Sequence, residues 1–174
     1  MSFSLYDISA PVFRQYLGGL SGVLAKAEAH CGSGGASEAD IIATRLYEDM
    51  QPFPFQIAMS INHSAGAVSL LRGQAFERPQ GPTSLAEARS AVDAAVAYLD
   101  GVKPGDITID PDAEVSMKFP GRTMTFTARN YLLTFAYGNF FFHVTTAYDI
   151  LRSKGVPVGK RDFLGASQMT VTNT

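Results

Sequence analysis

The chain has 174 residues, 46% of them hydrophobic and 17% charged, with a formal net charge of -2. That length and apolar content fit one globular domain with a sizeable core and leave no room for two. The fourteen Lys and Arg are scattered and form no basic face of the kind a nucleic acid requires, and a single cysteine, Cys31, excludes an intrachain disulfide.

In chain order, Ser9 with Pro11 predicts the start of a first helix, whose apolar spacing runs through Val12, Phe13, Tyr16, Leu17, Leu20, Val23 and Leu24 to a stop near Cys31. Ser37 with Asp40 three residues on resembles a capping box and opens a short helix through Ile41, Ile42 and Leu46. Pro52 and Pro54 introduce a second long helix with Phe55, Met59, His63, Gly66, Ala67 and Leu70 on its inner stripe, ending at Gly73. Thr83 or Ser84 caps a third, which repeats Leu85, Ala88, Val92, Ala95, Val96 and Leu99 and ends at Gly101. Residues 114–119 and 122–127 alternate around Pro120-Gly121, a pair suited to a type II turn, and predict a small β-hairpin.

A fourth long helical segment, Thr127 to Lys154, carries Asn139 and His143 among Phe140, Phe141 and Phe142. Four residues apart, the polar pair lies about 6 Å apart along the axis on the face that also holds Leu132, Phe135, Ala136, Ala147 and Ile150. It therefore points inward, as His63 does from the second helix. The apolar window from Tyr131 to Thr146 is interrupted by Thr134, Gly138, Asn139 and His143, so no membrane span of about 20 apolar residues is expected. With no basic segment and long apolar run at the N-terminus, a cytoplasmic protein is expected. The stretch from about 166 to 174 is polar and expected to be mobile.

Four amphipathic helices with one long connection predict an all-α four-helix bundle, with the hairpin between the third and fourth helices. The chain resembles the DinB-like superfamily of metalloenzymes. Within it, Ser4-Leu5-Tyr6-Asp7, Phe119-Pro120-Gly121-Arg122, Asn139-Phe140-Phe141-Phe142-His143 and Gly159-Lys160-Arg161-Asp162-Phe163-Leu164-Gly165 are similar to an uncharacterised domain-of-unknown-function family, over nearly the whole chain. The superfamily resemblance implies a metal held by one histidine of the second helix and two, four residues apart, of the fourth. His63 matches the first position and His143 the last, whereas Asn139 stands where the remaining histidine would be. A carboxamide is a poorer ligand for nickel or zinc than an imidazole, so the resemblance implies His63 and His143 as ligands with Asn139 as a weak third ligand or an orienting donor. Similar bundles include thiol-dependent isomerases and S-transferases, which implies a divalent metal activating a thiol or water.

The residues also admit a reading without metal, in which His63 and His143 hydrogen-bond to each other, to Asn62 or Asn139, or to backbone, in a non-catalytic bundle that binds a small molecule or a partner. His30 suits the dipole at the end of the first helix. Cys31 lacks the electropositive setting of a nucleophile, and Glu48 and Asp49 read as loop charges. Phe163 and Leu164 predict a tail packed on the bundle, with the charges of Lys160, Arg161 and Asp162 solvated. The Phe140–Phe142 run covers most of the helix circumference and predicts a second buried surface, best supplied by a homodimer.

Overall fold

A computed structural model describes residues 3–166. The chain forms α1 (Ala10–Gly32), α2 (Glu38–Ala43), α3 (Phe53–Asn62), α4 (Ala65–Leu71) and α5 (Leu85–Gly101), then the antiparallel hairpin of β1 (Glu114–Phe119) and β2 (Arg122–Thr127). The short α6 (Ala128–Asn130) runs through a π-helical turn (Tyr131–Ala136) into α7 (Tyr137–Ser153), and α8 (Lys160–Leu164) follows. The expected bundle is present: α1, α3 with α4, α5 and α7 surround a core that includes Phe13, Leu17, Leu24, Phe53, Ile57, Val92, Leu132, Phe140 and Ile150. Beyond Ala166 the expected mobile tail lies outside the described residues.

The sequence signals for caps and turns have distinct outcomes. Ser37 and Ser84 accept hydrogen bonds from the Asp40 and Glu87 amides and cap α2 and α5. Ser9 stands at the start of α1, yet its buried hydroxyl donates to the Leu5 carbonyl at 2.6 Å, so the side chain closes the preceding turn and caps nothing. Gly121, at φ +76°, supplies the left-handed residue of a type II turn, and Phe119 pairs with Arg122 across it.

Both long helices that carry site residues are irregular. The second is not continuous to Gly73: it breaks at His63 and Ser64 into α3 and α4. The Ser60 hydroxyl donates to the Gln56 carbonyl at 2.8 Å, and that of Ser64 to the Ser60 carbonyl at 2.6 Å. Such back-bonding bends a helix, and here the turn ends with His63 at the break. The fourth helix contains the π turn, in which the Tyr137 amide bonds the Leu132 carbonyl five residues back. The phenylalanine run that follows is split by burial: Phe140 is fully buried, Phe141 packs edge-on to Tyr16 and Phe142 is 55% exposed.

The last helix is strapped across α1. Phe163 lies against Tyr16 and Tyr148, each 5.7 Å away between ring centroids, and Gln15 Nε2 donates to the Leu164 carbonyl at 3.0 Å. Asp162 accepts from the Gly159 amide at 2.8 Å and from Lys26 Nζ at 2.7 Å, while Lys160 and Arg161 are exposed. Gly19 makes this crossing possible, because a Cβ there would stand 2.6 Å from the Phe163 carbonyl oxygen and 2.9 Å from that of Asp162. Gly18 has open space at the same point. Gly19→Ala should therefore lower stability by about 1–3 kcal/mol in chemical denaturation, because backbone must move. Gly18→Ala should be neutral or stabilising by up to about 1 kcal/mol, since alanine is the better helix former. Equal behaviour of the two variants would remove the close approach as the reason for Gly19.

Candidate functional site

Two of the three expected site residues meet. His63, at the break after α3, and His143, in the middle of α7, lie with ring centroids 5.8 Å apart and planes within 7° of parallel. Aromatic edges enclose the pair: Phe135, from the π turn, lies 5.6 Å from His63, and Phe55 and Phe142 lie 5.8 and 5.2 Å from His143. His143 is only 8% exposed, and His63 is half-buried.

The partner that fixes His143 is Gln56, a residue of α3 that is 1% exposed. Gln56 Nε2 donates to the Gln51 carbonyl at 2.8 Å, which turns Oε1 toward His143 Nδ1, also at 2.8 Å. The carboxamide oxygen can only accept, so Nδ1 carries the proton and a neutral His143 presents an unprotonated Nε2. Gln56 is absent from the sequence-level candidates. Its signal was a polar residue seven positions before His63, two helical turns back on the same face.

Burial favours the neutral form of both rings. Desolvation brings His143 from the ordinary histidine value of 6.5 to about 4, and His63 falls to about 4 through desolvation first, then the charges of His143 and Arg78. At neutral pH the site holds two uncharged imidazoles with lone pairs, a donor set suited to a borderline metal ion. The fit is one of donor chemistry: two neutral imidazoles stand with ring centroids 5.8 Å apart, one nitrogen donor short of an ordinary three-ligand site.

Asn139 is placed differently. Its Nδ2 donates to the Phe135 carbonyl at 2.8 Å, four residues back, as the Thr134 hydroxyl does to the Asn130 carbonyl at 2.6 Å. Both side chains thus serve the main chain of the wide turn. Among the described residues no three His, Cys, Asp or Glu side chains gather as a metal-ligand group. Glu48 and Asp49 are exposed in the loop before α3. The Cys31 thiol is pushed up by burial and by the Glu38 charge, which opposes thiolate formation. His30 packs so tightly on Gly35 that a Cβ there would come within 2.1 Å of its ring.

With this geometry in view, comparison with known proteins is informative about kinship. A family model described as "Domain of unknown function (DUF1993)" matches residues 5–164. The chain belongs to that family. A crystal structure of a DinB family member protein from Shewanella denitrificans superimposes with a TM-score of 0.85 at 30% sequence identity, covering 97% of this chain and 96% of that one. The DUF1993 chain is thus a DinB-like helical bundle. No curated protein matches its sequence, and no helix among its described residues is long and apolar enough to cross a membrane.

The depressed imidazoles make stability depend on pH with a definite sign. Above 6.5 both rings are neutral folded or unfolded and the native state keeps its full stability. As pH falls from 6.5 toward 4, the unfolded chain takes up protons that the folded chain refuses, so stability drops by about 2–3 kcal/mol for each imidazole. Asp7, Glu87 and Asp162, held below their ordinary values mainly by hydrogen bonds, add losses only at the acidic end of that range and below. Urea denaturation at closely spaced pH values should show the drop in wild type and a flatter profile in His63→Phe; parallel profiles would mean that the pair is open to water.

Proposed function

We propose that His63 and His143 hold a divalent metal ion, nickel or zinc, which this DUF1993 protein uses in thiol- or water-dependent transfer chemistry. The observation that carries the reading is the proton held on His143 Nδ1 by Gln56, which leaves Nε2 free as a ligand beside a second neutral imidazole. A hydrogen bond of this kind orients a ligating histidine and raises its basicity. The two imidazoles fit a borderline ion in chemistry but are fewer than the three protein ligands of an ordinary catalytic zinc site. Solvent and the ligand itself would have to supply the remaining donors. When bound, the ion lowers the pKa of a coordinated thiol or water and so generates a nucleophile. The chain's own residues hold His143 in its tautomer through Gln56, flank the pair with Phe55 and Phe135, and keep the wide turn before α7 through Asn139.

A second reading is favoured by Asn139, which places a carboxamide where a third imidazole would stand. In it the pair receives a small molecule without any metal, in a non-catalytic bundle. Titration of nickel, zinc and manganese into the apo protein, with elemental analysis of the purified form, separates the two. The metal reading expects near-stoichiometric binding that is lost in His63→Ala and His143→Ala and weakened about 10–100-fold in Gln56→Ala. It also expects Asn139→His to tighten binding sharply. Refusal of all three ions by both wild type and Asn139→His would leave the second reading.

The same proposal includes a second copy of the chain as partner. Of the phenylalanine run only Phe142 is left exposed, with Leu133 43% exposed one π turn and one α turn earlier. Sedimentation equilibrium should give a dimer for wild type and, for Phe142→Ser, a monomer that still unfolds cooperatively, at a melting temperature lower than that of the dimer. A wild-type monomer at all concentrations would end that part of the proposal.

A further inference from the structure

Beside the imidazole pair lies a groove of about 470 Å³, between the start of α3 and the segment that follows α4. Its apolar wall is formed by Pro54, Phe55, Ala58 and Met59, and Arg78 stands over it from the opposite side. The guanidinium carbon is 5.7 Å from the centre of the Phe55 ring, and Nη2 reaches Met59 Sδ at 3.6 Å. Those are weak partners for a group with five N–H donors. Among the described residues, ion pairs engage Arg14, Lys26, Arg72, Arg89 and Arg129, and Arg78 takes part in none.

The segment that carries Arg78 is pinned on both sides. Phe76 lies against α4 so closely that a Cβ at Gly66 would come within 2.8 Å of its ring, and a Cβ at Gly81 would come within 3.1 Å of Pro54 Cβ. The guanidinium is therefore presented from a held backbone. The groove and the imidazole pair also share a wall, because the Phe55 ring that carries Arg78 on one side lies edge-on to His143, 5.8 Å away.

We propose that this groove binds a small organic carboxylate, whose charged group is taken by the Arg78 guanidinium and whose apolar body lies on Phe55, Ala58 and Met59, directed toward His63 and His143. A planar guanidinium matches a carboxylate through two parallel hydrogen bonds. The volume is that of an ordinary small-molecule site. The direction toward the histidines rests on the reading of the pair as the functional centre; the carboxylate contact with Arg78 does not.

The test is a binding titration by NMR, in chelator, of benzoate, hexanoate and adipate, with benzamide and hexanamide as uncharged matches and inorganic phosphate as a second anion. Wild type should bind the carboxylates at least about tenfold tighter than the amides. Arg78→Met should lose that preference, and Arg78→Lys should weaken it while retaining part. Arg78 is exposed, so both variants should melt as wild type does. The proposal is overturned if amides bind as tightly as acids, if Arg78→Met binds the acids unchanged, or if phosphate binds and the acids do not. Carboxylate preference in a protein that refuses every metal would sink the metal reading and keep this one. Stoichiometric metal with no role for Arg78 would do the reverse.

Discussion

The hydrogen bond between His143 and Gln56 joins the two helices between which the site is built, and most of the local structure follows from satisfying it. It is a buried polar contact in an aromatic setting, where an unmatched donor or acceptor costs about 1–3 kcal/mol. Gln56 meets the demand only because Gln51, in the Pro-rich entry to α3, accepts the other end of its carboxamide. The entry loop, α3 and α7 are thereby tied in one chain of donors and acceptors, and the proton on His143 is assigned by a backbone carbonyl one residue before Pro52.

The two departures from regular helix lie about two turns along the helices from this contact. Ser60 and Ser64 draw the backbone of α3 into a break that ends at His63, and the π turn of the fourth helix delivers Phe135 against the His63 ring. Isolated π turns occur often at functional sites, where they redirect side chains without ending the helix. Here the two irregularities meet through Phe135 and His63, 5.6 Å apart.

The bundle, its hairpin and the capping of α2 and α5 were legible because they rest on local signals: apolar spacing, Ser37 and Ser84 before an acidic residue, and Pro120-Gly121. The break at His63 was not, since Gly66, Ala67 and Leu70 continue the same spacing and a serine hydroxyl bonding backward leaves no mark in periodicity. Gln56 and Arg78 were missed for a related reason. Their roles depend on the Gln51 carbonyl and the Phe55 ring, which only the folded chain places. The motifs that carry the family likeness mostly describe scaffold: Ser4 and Asp7 close the first turn, Phe119 to Arg122 form the hairpin tip, and Gly159 to Gly165 form the strap on α1. Such motifs identify kinship without chemistry.

Asn139 is a position where scaffold and site meet. A wide turn displaces main-chain carbonyls from their usual amide partners, and a short side chain with an N–H donor at the following turn can serve one of them, as Asn139 serves Phe135. A carboxamide there holds the carbonyl and brings the site one imidazole nitrogen fewer than a histidine would. The residue that costs the site a third nitrogen thus supports the turn that places Phe135 on His63. On this view the asparagine shifts the completion of the site from the protein to its ligand, and Arg78, which has no acidic partner among the described residues, is a group suited to hold that ligand.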